Sequence, residues 1–374
     1  MKHLLRNAFA LLAAALIGLA AYSYLGAQEA PPYKFQLGED VTAAAKEKGA
    51  VIKPKLRAVA DDTFEFEFDL NIKRSAQAAD AAGVLGSNSR TETWTADARL
   101  LFKEDELEGQ KDLRAQLMYS RIFFDLNDGI EGFTGYIGPQ IPGEGKDKTD
   151  AHFKSKSLAG ERTPKTGIPG WVGINAGGIE DQRSRQANGQ AGHVIFNIAE
   201  TGRIFNETYY ADFEAPDQRN YPARLIDPVQ LVMYTWPEFA ADAAIKVGDT
   251  VIVKRRFPMG LLTGQTVEYE FTYKLEKVYG KAEEPTAALL TFAARPVSAA
   301  DVSQRIAGLD TSLTPPEIRD GTLLLDLVKG APARVQWKYS AKGKVSEAGG
   351  ANQLTFAADV EFSASLRKQQ EEKK

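Results

Sequence analysis

Phe64-Glu65-Phe66-Glu67-Phe68-Asp69-Leu70-Asn71-Ile72-Lys73 alternates apolar and polar residues without a fault. Only an extended strand sends successive side chains to opposite faces. The even positions therefore meet a core, and Glu65, Glu67, Asp69, Asn71 and Lys73 meet water. The same parity returns in Trp94, Ala96, Ala98, Leu100 and Phe102, and in Leu113, Ala115, Leu117 and Tyr119. It returns again in Val267, Tyr269, Phe271, Tyr273 and Leu275, and longest in Leu354, Phe356, Ala358, Val360, Phe362, Ala364 and Leu366. Shorter strands are expected near 51–59, 193–198, 250–257, 288–292, 322–328 and 335–339. Each large side chain buried from these faces contributes about 1.5–3 kcal/mol.

This period predicts a mainly β protein, an antiparallel β-sandwich or open barrel with few short helices, preceded by an N-terminal apolar helix. A transmembrane barrel alternates too, with its apolar face toward lipid. The irregular loops and variable strand lengths favour the water-bathed sandwich or open barrel. A short helix is expected over 40–48 (DVTAAAKEK), stopped by Gly49. The capping-box spacing of Ser298 and Asp301 predicts a second over 302–309, a linker before Pro315-Pro316. Residues 76–82 read as a third helix or a loop. The organisation is then a leader over 1–27, a main β-rich domain over 28–297, and a unit over 298–374. That last unit holds the linker helix, C-terminal strands that complete the β body, and a charged tail. A Gly/Pro-rich excursion at about 127–192 interrupts the main domain; loops of that length are usually functional or mobile.

Lys2 and Arg6 precede residues 8–25 (AFALLAAALIGLAAYSYL), which carry no charge. A positive start and an apolar run make a secretory signal peptide, or an N-terminal membrane anchor through residues 8–25 if it is not cleaved. Both place the body outside the cytoplasm: periplasmic, on the outer surface or secreted. The full chain of 374 residues has 46 basic and 50 acidic residues. Removing 1–27 leaves 44 − 50 = −6, which speaks against nucleic acid and against anionic lipid headgroups as partners. With no cysteine, disulfides, thiolate metal sites and a cysteine nucleophile are excluded.

Catalytic and ligand motifs are few. Asp125-Leu126-Asn127-Asp128-Gly129 alternates oxygen donors before a glycine, and Glu131 adds another. That pattern nominates Asp125, Asn127 and Glu131 for calcium, against the alternative of a plain turn; position twelve of an EF-hand loop is Tyr136 instead of an acid. No other cofactor is implied. Outside the leader, which holds His3, the histidines are His152 and His193. They are too few for a three-histidine zinc site, and no G-x-S-x-G elbow supplies a triad nucleophile. Paired carboxylates run glycoside hydrolysis without histidine, but fifty acids offer too many pairs to choose among. Trp171, Trp236 and Trp337 read either as a sugar platform or as core aromatics.

Thr201-Gly202-Arg203-Ile204, then Ile245-Lys246-Val247-Gly248-Asp249-Thr250 and the Asp320-Gly321-Thr322 turn, resemble a pattern in uncharacterised exported bacterial β-rich proteins, over about 200–366. The resemblance implies fold and exported location, and no activity. Three function classes follow: a non-catalytic envelope protein, structural or accessory to a partner protein of a periplasmic or cell-surface assembly; a carrier of an apolar ligand or lipid in a β cavity; and a carbohydrate-active hydrolase using paired carboxylates.

Overall fold

The computed structural model describes residues 32–80, 83–103, 113–127, 131–137, 154–157, 160–162, 193–209, 228–258, 266–306, 309–347 and 352–367. The leader, His152, Trp171 and most of the Gly/Pro-rich excursion lie outside them. The described residues are mainly β. They form β1 (Val51–Ile52), β2 (Thr63–Asp80), β3 (Gly83–Lys103), β4 (Leu113–Asn127), β5 (Glu131–Ile137), β6 (Lys154–Ser157), β7 (Gly160–Arg162), β8 (His193–Ile198) and β9 (Ile204–Tyr209). Then follow β10 (Ile245–Lys246), β11 (Thr250–Pro258), β12 (Thr266–Gly280), β13 (Pro285–Pro296), β14 (Val302–Ile306), β15 (Leu309–Thr314), β16 (Ile318–Asp326), β17 (Ala331–Glu347) and β18 (Asn352–Leu366). Two short helices are α1 (Thr42–Glu47) and α2 (Pro228–Thr235).

β1 and β10 pair with each other; the other strands make one antiparallel sheet, in the order β11-β12-β13-β16-β17-β18-β2-β3-β4 and onward to β5, β6 and β7. The long central strands change partners midway. β17 pairs β16 through residues 331–339 and β15 through 342–347. β4 pairs β8 through Leu113–Met118 and β5 through Ile122–Asn127. The sheet thus has a base half, where β2 begins and β18 ends, and a far half, where β14, β15, β5, β6 and β7 take over the flanks.

The base half curls. From β11 to β3 there are eight strands, about 34 Å if laid flat. Yet one helix reaches both ends: the Tyr234 ring lies 5.1 Å from Phe257 on β11 and 4.9 Å from Trp337 on β17. Trp236, just past the helix, lies 6.4 Å from Phe64 on β2 and 6.2 Å from Phe102 on β3. Arg255 of β11 donates to the Trp236 carbonyl at 2.6 Å, which ties the first strand to the segment that touches the eighth. The apolar face is therefore concave and wrapped around α2. Phe64, Phe66, Phe68, Leu70 and Ile72 are all buried there. The convex face carries Glu65, Glu67, Asp69 and Lys73. Lipid would meet those charges, so the convex side of the sheet is not built to lie against a hydrocarbon core. Among the described residues, no helix is long and apolar enough to cross a membrane.

The far half has a thinner interior. Where β2 leaves the helix behind, its inward parity continues as Arg74, Ala76 and Ala78, all partly exposed, and Leu354 is 38% exposed.

Several expectations are corrected. Residues 302–309 make no linker helix: β14 and β15 form a hairpin with Val302 opposite Leu313, Gln304 opposite Thr311 and Ile306 opposite Leu309. Asp301 does not close a capping box; it accepts from Thr314 at 2.7 Å and Ser312 at 3.1 Å across the hairpin. Residues 76–80 continue β2 instead of forming a helix or loop. The excursion contains β5, β6 and β7. Only Val51–Ile52 of the expected strand over 51–59 is extended and paired.

Candidate functional site

A concavity arises where β17 changes partners. Pro315-Pro316 separates β15 from β16, and proline has no N–H for a ladder. Tyr269 pins this break by donating its hydroxyl to the Pro316 carbonyl at 2.8 Å. β16 then bulges between Arg319 and Thr322, with Asp320 at φ 54, a conformation asparagine and aspartate tolerate best among residues with a Cβ. The bulge turns Asp320 toward Lys338, at 3.8 Å. The result is a groove of about 650 Å³ on the convex face, lined by Lys73, Arg319, Asp320, Lys338, Lys342, Asp359 and Glu361 among others.

Register explains its charge pattern. Ser340, Asp359 and Lys73 lie in one rank across β17, β18 and β2; Lys338, Glu361 and Asn71 lie in the next. An acidic middle strand thus runs between two strands bearing lysine. Ser340 donates to Asp359 at 2.5 Å, and Arg319 pairs with Glu317 at 2.8 Å. The groove is mixed in sign and suits a polar segment better than an anion. Asp359 and Glu361, two residues apart on one face, have Cα atoms about 6.6 Å apart, within reach of hydrolytic spacing. That chemistry needs one carboxyl held neutral by burial, and both are exposed. Among the described residues, burial pushes the Glu238 carboxyl upward, opposed by the charges of Arg255 and Arg203, in the segment that follows α2.

A second polar cluster lies inside, at the junction of the halves. Glu92 is 1% exposed; Arg74 reaches it with Nε at 2.7 Å, and Arg90 donates Nε at 2.8 Å. Trp94 adds its indole N–H at 3.4 Å. These ions close the floor between the packed base half and the thinner far half. Their signal was available: all three occupy the parity that elsewhere holds Phe, Leu and Ile.

The sequence-nominated residues are not brought into this groove. Asp125 and Asn127 are exposed on one face of β4, opposite Thr93 and Thr91 of β3, inside a regular ladder. Glu131 opens β5, and its side chain lies outside the described residues. No cluster of three metal-binding side chains occurs among the described residues. His193 begins β8 opposite Met118. Trp236 and Trp337 are core residues, 2% and 4% exposed, and form no platform.

No known family profile matches the sequence, and no curated protein is significantly similar to it. Among solved structures, the translocator domain of autotransporter NalP from Neisseria meningitidis aligns at TM-score 0.15 and 7% identity, covering 82% of this chain and 88% of that one. The P. putida toluene transporter TodX aligns at 0.14 and 8%, covering 83% and 91%. Scores this low carry no argument about fold, family or location.

Proposed function

We propose that the protein is an exported envelope protein, held by or released from its leader, that serves as a non-catalytic structural or accessory subunit built as an open barrel. One observation carries this reading: the concave side of the base half is occupied by the chain itself. Tyr234, Trp236 and Phe239 pack against Trp337, Phe66 and Tyr273, so these inward aromatics contact one another. On the convex side, several charged and hydroxyl groups are engaged across strands, as in Thr95 to Asp69 at 3.0 Å and Arg295 to Glu270 at 2.6 Å. Such a body offers surfaces, and its polar groove fits a partner's polar segment.

The test uses the absence of native cysteine. Ile252→Cys, an exposed site at 63%, is treated in intact spheroplasts with a membrane-impermeant maleimide, and the tagged protein is then purified from native membranes. The expected result is labelling before lysis and co-purification with a stoichiometric partner. Labelling only after lysis refutes export. Purification as a lone monomer with hydrolytic turnover of polysaccharide refutes the accessory role.

A further inference from the structure

We propose that the base of the barrel is a bilayer-facing surface, which seats exposed valines and a leucine in the headgroup boundary. One of its two arguments rests on the reading of residues 8–25 as a retained anchor, and the proposal goes beyond that reading by naming the face that lies on the membrane.

The first argument is where the body begins. Tyr33 donates its N–H to the Thr63 carbonyl at 2.7 Å, at the start of β2, and its ring lies 5.4 Å from Phe64. Eight peptide steps separate Leu25 from Tyr33, a reach of at most about 28 Å. The other end of the body leaves beside it: Arg367 donates its N–H to Glu65 at 2.8 Å. An anchor at 8–25 therefore holds this end, and not the far half, against the bilayer.

The second argument is independent of the leader. Leu37, Val51, Val59 and Val328 are 52, 41, 57 and 52% exposed, and all four sit at the base. Val51 and Val328 line one groove with Lys53, Arg57 and Lys281. Leu37 precedes Gly38, which packs against Gly280 of the same groove. Arg57 donates its N–H to Lys329, which brings Val59 to the Val328 hairpin. Apolar tips beside an excess of lysine and arginine suit the interface, where the aliphatic groups reach the acyl boundary and the cations reach phosphates. Glu283 and Glu284 are the acids lining the groove; Glu283 is engaged by Lys48, which leaves Lys53, Arg57 and Lys281 against Glu284. The net acidity of the chain is a whole-molecule average and does not describe this face.

The test uses the full chain in vesicles of phosphatidylethanolamine with about one third phosphatidylglycerol. Single cysteines are placed by Val59→Cys and Val328→Cys at the base, Val84→Cys and Ile252→Cys elsewhere, and Ala14→Cys in the leader. Each carries an environment-sensitive fluorophore. Iodide quenching at 59 and 328 is expected to be at least about threefold weaker than at 84 and 252, with nitroxide lipids quenching only the base labels and the leader label. A shielded leader with base labels as wet as the others overturns the proposal and leaves the anchor standing. A wet leader label refutes the anchor; base labels that stay shielded then uphold the surface, and wet ones overturn both. Shielding seen in native membranes and lost in pure lipid assigns the face to a protein partner and overturns the lipid assignment. As a check on the apolar tips, the combined Val51→Ser, Val59→Ser and Val328→Ser variant is expected to lose the shielding of a label at Leu37→Cys while keeping its far-UV circular dichroism.

Discussion

Replacing Trp236 by alanine tests the wrapping of the sheet at its hub. The indole is 2% exposed and touches Phe64, Phe66 and Phe102 on two neighbouring strands. A side chain of this size buries about 200 Å², worth about 5 kcal/mol at about 25 cal/mol per Å². Large-to-alanine changes in cores cost about 3–5 kcal/mol, so a loss of about 4 kcal/mol is expected. The Trp236 carbonyl, which receives Arg255, survives the substitution, so the effect isolates the ring. In urea, with a slope of about 3 kcal/mol per M, the midpoint falls by about 1.3 M. Far-UV circular dichroism follows the sheet, and Leu354→Ala in the far half is the control, with a loss below about 1 kcal/mol. A Trp236→Ala shift smaller than about 0.3 M puts the ring in a solvent-like setting and refutes a sheet that closes on α2.

Glu92→Ala leaves Arg74 and Arg90 facing each other in a largely buried place, and chemical denaturation is expected to record a loss of about 3–5 kcal/mol; a loss below about 1 kcal/mol identifies the cluster as a surface pair. Gly330 has φ +67, and a Cβ there runs into the Lys55 carbonyl. Gly330→Ala is therefore expected to lower the thermal midpoint by several degrees, and an unchanged midpoint contradicts the contact between the N-terminal segment and the β16–β17 hairpin. Burial raises the folded pKa of Glu238 above its ordinary 4.5, so its contribution is fully favourable below about pH 4 and is lost as pH rises through the folded value. Glu238→Gln is expected to raise stability at pH 7 and to have no effect near pH 3.5; the reverse pH order in denaturation midpoints refutes the burial.

Alternation at Phe64–Lys73 identified a strand with one wet face because a single parity was consistently apolar. It stopped short of Asp80 because the far half has little core: Arg74 breaks the apolar parity and Ala76 and Ala78 continue it with small side chains, though the ladder continues there. α2 escaped notice for the opposite reason. Pro228–Thr235 is apolar on nearly every side, as a helix enclosed by a sheet must be, and so shows no amphipathic stripe. At 302–309 strand pairing overrides the local cap signal: Val302, Gln304 and Ile306 pair with Leu313, Thr311 and Leu309 as a hairpin. The convex groove had no sequence signal, since it arises from a partner change on β17 and a bulge at Asp320, both set by pairing across distant strands. The buried ions were legible as charges on an apolar parity, and Arg255 on β11 belongs to the same class: it is 8% exposed and stacks 4.1 Å from the Phe271 ring.

The closure of the sheet on α2 is tested most directly by native-state hydrogen exchange of the amides from Val232 to Trp236. An isolated helix of eight residues is unstable in water and exchanges freely. Enclosure by β8, β11 and β17 predicts protection equal to that of Phe66 and Phe68 on β2, released only by global unfolding. Exchange of these amides at the rate of an exposed segment, while β2 stays protected, contradicts the filled barrel and reopens the interior to a ligand.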